Sequence, residues 1–437
     1  MILTVYTIVN SGGGATIEIE DYTRLKNLDF APEADITGNS IPINQFSVDI
    51  LTTDDIEDAS YCELKDERNK LWAAYAVKKA VRVDPSTVRL LAQSRLYMLD
   101  YVEMDEVVYQ GATAATVIEA CMSTISSYYT LHSSLEDIPI TGYCPAQTAR
   151  ERLTWVCFVI GAYVQDYFAD GIKIRPIDAS GTLIPLERTF FMPNIKFGDW
   201  VTGLKLTAYT FTQAASEEEW RNAGNSYMFP IPWVAEEQVF TLTNPEAPAS
   251  AQENVIEIDG VYLVNTANAS AILSRLSQYW FNREEVTLDC VNNHSYKPGD
   301  KLIGYVDREN MVTGYATSTA FRFGKQARST IKLIGCETKP GALLTVNYLC
   351  DNTRIGRATY TLPVGYAFEI ENPYLDQSRN GHRYIYRPLT ESATGTMAAG
   401  GNTVNVDYEI ALDSKNGKLY VYSVDDVETR NATGVIA

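Results

Sequence analysis

Three histidines, His132, His294 and His382, and a surplus of carboxylates are the residues through which this 437-residue chain could do acid–base or metal chemistry. The histidines fall in separate predicted units, so each reads as a surface or turn residue rather than a general base. There is no H-E-x-x-H, G-x-S-x-G or P-loop motif and no Cys-His-Asn arrangement. The acidic pairs Asp54-Asp55 and Glu284-Glu285 are of the type a glycosidase uses, but with 55 acidic residues in the chain, solvated strand ends are the simpler reading. Asp413, Asp425 and Asp426 lack the loop of alternating oxygen ligands that Ca²⁺ needs. The seven cysteines, at 62, 121, 144, 157, 290, 336 and 350, are odd in number and without C-x-x-C spacing. Neither a disulfide framework nor a zinc site follows, and they read as buried small hydrophobes of a protein made in a reducing cytoplasm. The expectation is a non-enzyme with no catalytic residues, no cofactor and no metal.

Aromatic residues offer a different chemistry. Among 28 tyrosines, Tyr360, Tyr366, Tyr374, Tyr384 and Tyr386 cluster late in the chain with Arg383 and Arg387 nearby. Rings and guanidinium groups of this kind stack on sugars, although cross-strand packing uses the same residues. Tyr366, Tyr374, Tyr384, Tyr386 and Arg383 are therefore the candidate glycan contacts. A formal net charge of −19 opposes a nucleic-acid groove, which needs clustered Lys and Arg. It suits the solubility of a large-particle component, and it would also suit a conduit through which DNA slides without sticking.

The elements that must position these residues are mostly strands. The opening MILTVYTIVN is β-branched, too short to span a membrane and without the basic start of a signal peptide, so it reads as a strand. In INQFSVDIL, residues 43–51, Phe46, Val48 and Ile50 alternate with polar residues, the period of a strand with one buried face. Short segments at 62–64, 70–77 and 87–93 continue an antiparallel sheet. The period then becomes helical: residues 111–128 carry Val117, Ile118, Cys121 and Ile125 behind Thr113 as cap, and a longer helix is expected over 145–167, stopping at Asp170-Gly171. A short strand at 172–174 follows. Strands return at 200–212 and 237–243, and NPEAPASAQE, residues 244–253, reads as a linker. Beyond it come a helix with Ala271, Leu273, Leu276 and Trp280, a strand at 285–291, the turn Pro298-Gly299-Asp300, and strands at 301–306, 313–319 and 329–334. Pro before Gly in that turn predicts positive φ at Gly299. After Pro340-Gly341 the pattern is all-β, with a tight hairpin expected at Lys415-Asn416-Gly417. The fold class is α+β, β-rich and multidomain. A first β domain at 1–104 resumes about 191–243, around an α/β insert at 105–190. A second β domain spans 254–340 and echoes the first, and a small all-β domain covers 342–437.

The order of these segments resembles the baseplate hub family of phage tails, which includes the amino-terminal part of tail-associated lysins. The resemblance covers about residues 1–340. It rests on INQFSVDIL with Asp100-Tyr101 and YQGATAATVIEA (109–120), on ADGIKIRP (169–176), on LKLTAYTFT, and most specifically on YKPGDKLIGYVDRENMVTGYATSTAFRFGKQARSTIKLIGC (296–336). It implies a homotrimer in which two tube-like antiparallel β domains per chain form a pseudo-sixfold ring matching a hexameric tail tube. The implied partners are the distal tail or tail tube protein, tip, spike or fibre proteins and the tape measure protein, in a virion tail. No sequence-specific nucleic acid is implied. The alternatives are a carbohydrate-binding adhesin or receptor-binding tail protein and, further off, a peptidoglycan hydrolase.

Residues 344–409 resemble a mucin-binding-type repeat of Gram-positive surface proteins. Val346, Tyr348, Gly365, Tyr366, Gly395, Thr396, Thr403, Val404, Val406 and Tyr408 stand where its pattern places them. Asp351-Asn352-Thr353-Arg354 replaces its acidic hairpin, and residues 379–387 are inserted. This implies host surface glycan as a further partner.

Overall fold

The computed structural model describes residues 2–9, 13–66, 70–168, 171–177, 180–224, 228–323, 327–350, 353–371, 375–379, 382–388, 392–410, 419–423 and 431–436. The chain is β-rich and divides into two units, residues 1–303 with 313–337, and residues 304–312 with 338–437.

The first unit is organised on a long sheet. From one edge the order runs Gly13–Ile19, Ile2–Val9, Ala59–Lys65, Leu71–Asp84, Thr87–Gln93, Gln45–Leu51 and Leu25–Phe30. It continues through Asn310–Arg322, Arg328–Pro340 and Glu284–Val291 to Thr189–Phe197 at the other edge. The alternation read in residues 43–51 is realised: Phe46, Val48 and Ile50 are buried and face Ala92, Leu90 and Val88 across the ladder. Asp49 on the opposite side is neutralised by Arg89, at 2.7 and 3.1 Å.

Strands from the two ends of this unit join instead of closing separately. Phe321 pairs with Phe30, Glu33 bridges to Ser318, and the Ala34 and Thr319 amides donate to the Thr317 and Pro32 carbonyls. Aromatic rings seal the seam. Phe30 stacks on Phe321 at 5.8 Å, and Trp72 meets Phe321 edge-on at 4.7 Å.

Helices build a second core beside the sheet. Ala114–Cys121 is capped by Thr113, as its sequence predicts, and the turns after Met122 are 3-10. The expected long helix is shorter. Ala149–Ile160 starts with a capping box from Thr148 and Glu151 and ends at Gly161, whose φ of 70° is left-handed. Glycine enters that region without Cβ strain, so the helix stops there and Ala162–Gln165 becomes a strand beside Ile172–Pro176. Ala269–Trp280 is helical where expected, but the buried stripe is Ala269, Ile272, Leu273, Leu276 and Tyr279, while Ala271 is exposed.

Two expectations about organisation change. Gly203–Gln213 and Trp233–Thr243 do not resume the first sheet; they pair with each other. Val255–Ile258 then pairs parallel with Gly203 to Leu206, so residues 244–254 are a loop within one three-stranded sheet and not a boundary. A Pro-rich composition marks irregular backbone, but which strands meet across it is a tertiary matter.

In the second unit Ala342–Cys350 pairs antiparallel with Thr353–Leu362 and parallel with Asn402–Ile410. A second sheet runs Ser392–Thr396, Ala367–Glu371, Leu419–Ser423 and Asn431–Ile436. Residues 304–312 belong here: Tyr305 donates to the Thr361 carbonyl at 2.6 Å, Thr361 Oγ1 to the Arg308 carbonyl at 2.9 Å, and the Gly341 amide to Glu309. The hairpin expected at Lys415-Asn416-Gly417 and the carboxylates Asp413, Asp425 and Asp426 lie outside the described residues.

Candidate functional site

In the first unit, residues 162–168 reach both halves of the long sheet. Tyr163 donates to Asp300 Oδ1 at 2.7 Å, and Tyr167 donates to the Pro298 carbonyl. On the other side the Phe168 amide donates to Trp72 at 2.8 Å, and Asn44 Nδ2 donates to Asp166 Oδ1 at 2.5 Å. Asn44 is itself fixed by Glu33, whose amide it accepts at 2.7 Å and whose carbonyl it donates to at 3.0 Å. One short segment thus clasps the loop before Gln45–Leu51 to the Pro298-Gly299-Asp300 turn. That turn has the predicted geometry, with Gly299 at φ 88°.

Asp166 is buried at the centre of this clasp. Desolvation pushes its carboxyl up to about 6, against hydrogen bonding from the Ser94 and Asn44 side chains. Among the described residues its Oδ2 and the Tyr75 hydroxyl have no hydrogen-bond partner. Both residues line a cleft with Tyr61, Ala74, Ser94, Arg95, Tyr128, Gly171 and Ile172. The Arg95 guanidinium lies over Tyr128 at 3.6 Å and Tyr61 at 5.0 Å. Burial raises the phenols of Tyr61 and Tyr75.

The residues singled out by chemistry are not brought together. His132 caps the short helix Ser133–Glu136, its Nδ1 accepting the Ser134 amide at 3.3 Å. His294 packs against Trp72 and Phe168, with Asp66 Oδ2 4.0 Å from its Nε2. The His382 side chain lies outside the described residues. Asp54 accepts from the Thr52 hydroxyl, and Glu284 and Glu285 face Phe197 and Lys196 across a ladder. Among the described residues no group of three His, Cys, Asp or Glu is placed to hold a metal, and the six described cysteines are buried free thiols.

Of the candidate glycan contacts, Tyr366 is half-buried in a turn, its carbonyl accepting from the Met397 amide at 2.8 Å, and burial raises its phenol. Tyr374 lies outside the described residues; Tyr384, Tyr386 and Arg383 lie on His382–Pro388, with side chains outside them. The Asp166 cleft was not found from sequence. Its only signal there is a lone acid closing an apolar run, and its partners Ser94 and Asn44 lie 72 and 122 residues away in the chain.

No protein-family model matches the chain, and no curated protein matches it. Among solved structures it is similar to phage tail proteins. A tail protein from Neisseria meningitidis MC58 has 9% identity and a TM-score of 0.48, over 76% of this chain and 95% of that one. The 43 kDa tail protein of prophage MuSo2 from Shewanella oneidensis has 9% identity and a TM-score of 0.49, over 76% and 98%. A prophage tail protein from Listeria monocytogenes EGD-e has 12% identity and a TM-score of 0.48, over 76% and 94%.

Proposed function

We propose that the chain is a structural component of a phage tail or tail-like particle, and within it the baseplate hub that closes the distal end of the tail tube. The observation that carries the reading is the segment 296–336. It has the most specific sequence resemblance to hubs, and its strands continue the sheet begun by strands of residues 2–93, meeting at Phe30 and Phe321. A threefold hub on a sixfold tube needs two tube-facing β surfaces per chain, and the two halves of this sheet are the candidates.

On this reading the chain forms a homotrimer. It contacts the tail tube protein above, tip, spike or fibre proteins below, and the tape measure protein within. The unit containing residues 338–437, with its resemblance to a mucin-binding repeat, contacts host surface glycan. No catalysis is part of the reading, and purified protein should leave the turbidity of a cell-wall suspension unchanged.

Labelling the chain in purified particles and imaging them tests the proposal. Label at the distal end of the tail is expected. Label on the head or along the tail shaft would overturn it.

A further inference from the structure

We propose that the cleft over Asp166 and Tyr75 is a receptor for a protonated primary amine, whose ammonium group sits on the buried carboxylate and phenol. This goes beyond the tail reading and does not depend on it.

Asp166 Oδ2 and the Tyr75 hydroxyl are buried and without hydrogen-bond partners among the described residues, and both residues line the cleft. A buried carboxylate oxygen left unpaired costs free energy that a cation or a donor at that point would offset. Ser94, which also lines the cleft, has its hydroxyl engaged, accepting the Leu96 amide at 3.2 Å and hydrogen-bonding the Asp166 carboxylate. The space there is of water size, which an ammonium group fits and a guanidinium or a sugar ring does not.

The walls suit the same charge. Tyr61 and Tyr128 present ring faces that already hold one cation, the Arg95 guanidinium, at 5.0 and 3.6 Å. Ring quadrupoles attract any cation placed so, and an alkyl chain leading from the ammonium would pass between them. Arg95 is stacked on both rings and lines the cleft beside them. Gly171 keeps the far wall close: a Cβ there would lie 2.7 Å from the Tyr128 carbonyl oxygen. A divalent metal fits poorly, because among the described residues Asp166 is the one carboxylate lining the cleft.

The groups facing the carboxylate are Tyr75 from Leu71–Asp84, Tyr61 from Ala59–Lys65, Ser94 and Arg95 from the turn after Thr87–Gln93, Tyr128, Asn44, and the adjacent Tyr167. Tyr61, Tyr75 and Tyr167 stay neutral across the working range, since burial raises their phenols. Binding should therefore follow Asp166, strong at pH 8 and fading as the pH falls through about 6.

The test is calorimetric titration of the full chain with ethylammonium and, separately, with potassium chloride at equal ionic strength. Expected are saturable heats for ethylammonium at pH 8, at least tenfold weaker at pH 5. They should be lost in Asp166→Asn, which keeps the oxygen that Asn44 bonds, and weakened in Tyr75→Phe. Absent heats, or heats equal in wild type and Asp166→Asn, would overturn the proposal and leave the cleft a water site. Saturation by potassium with no response to ethylammonium would also overturn it, in favour of an inorganic cation. Circular dichroism of both variants separates lost binding from lost folding.

Discussion

The ring of Tyr163 occupies the space that a side chain on Gly299 would need: a Cβ there would lie 2.3 Å from a ring carbon, while the same ring's hydroxyl donates to Asp300. Glycine at this position thus answers two demands, a φ of 88° and the approach of an aromatic ring. Sequence alone exposes only the first.

Gly299→Ala should therefore cost more than backbone strain, about 2 to 5 kcal/mol from strain and overpacking together. Thermal melting in wild-type and Tyr163→Leu backgrounds checks this. The substitution should cost less in the second background, because the clash is gone, and equal costs would mean the ring does not constrain the turn.

Asp166 gives a pH prediction whose sign is opposite to that of an ion-paired acid. Its folded pKa, about 6, lies above the ordinary 3.8, so the folded state holds the proton more tightly. Stability from this group is present below pH 4, falls as pH rises towards 6, and stays lost above. Asp166→Asn should flatten that slope and raise stability at pH 7 to 8 by up to about 3 kcal/mol. Denaturant titrations at pH 4.5 and 7.5 read it directly. A variant less stable than wild type at pH 7.5 would show that the charge is compensated.

The capping box of Ala149–Ile160 is a local prediction. Thr148 Oγ1 accepts the Glu151 amide at 3.3 Å, and Glu151 accepts the Thr148 amide at 2.9 Å. Thr148→Ala should cost about 1 kcal/mol, with little effect on the long sheet. A shifted denaturation midpoint with an unchanged slope is the expected result.

The unit boundary makes a further prediction. Simple truncation after residue 341 leaves the Tyr305 hydroxyl and the Arg308 carbonyl without their partner Thr361. Removing 338–437 and also replacing 304–312 with an Asn-Gly turn should give a more soluble, higher-melting protein than the truncation alone. Particles carrying this variant should assemble and adsorb poorly to cells. Equal melting of the two variants would mean residues 304–312 belong with the first unit.

The proposed trimer is checked by light scattering of the purified chain. A trimer, or a monomer that trimerises with its tail partners, is expected, and a stable dimer is the result that counts against the hub.

Period and punctuation made several elements legible in the sequence. Phe46, Val48 and Ile50 announced a half-buried strand, Thr113 announced a helix start, and Pro298-Gly299 announced a left-handed glycine. These are local properties, set by side-chain alternation, a capping oxygen and the sterics of one residue. Tertiary structure decided the rest. That Ala162 to Gln165 leaves the helical run as a strand depends on pairing with Ile172–Pro176, because its apolar residues suit either state. The pairing of Phe30 with Phe321 and of Asn44 with Asp166 joins residues 291 and 122 positions apart, and nothing in a single sequence links such positions. The buried cleft follows from that closure, since Asp166 reads as an ordinary exposed acid until Asn44, Tyr75 and Ser94 fold around it and exclude water.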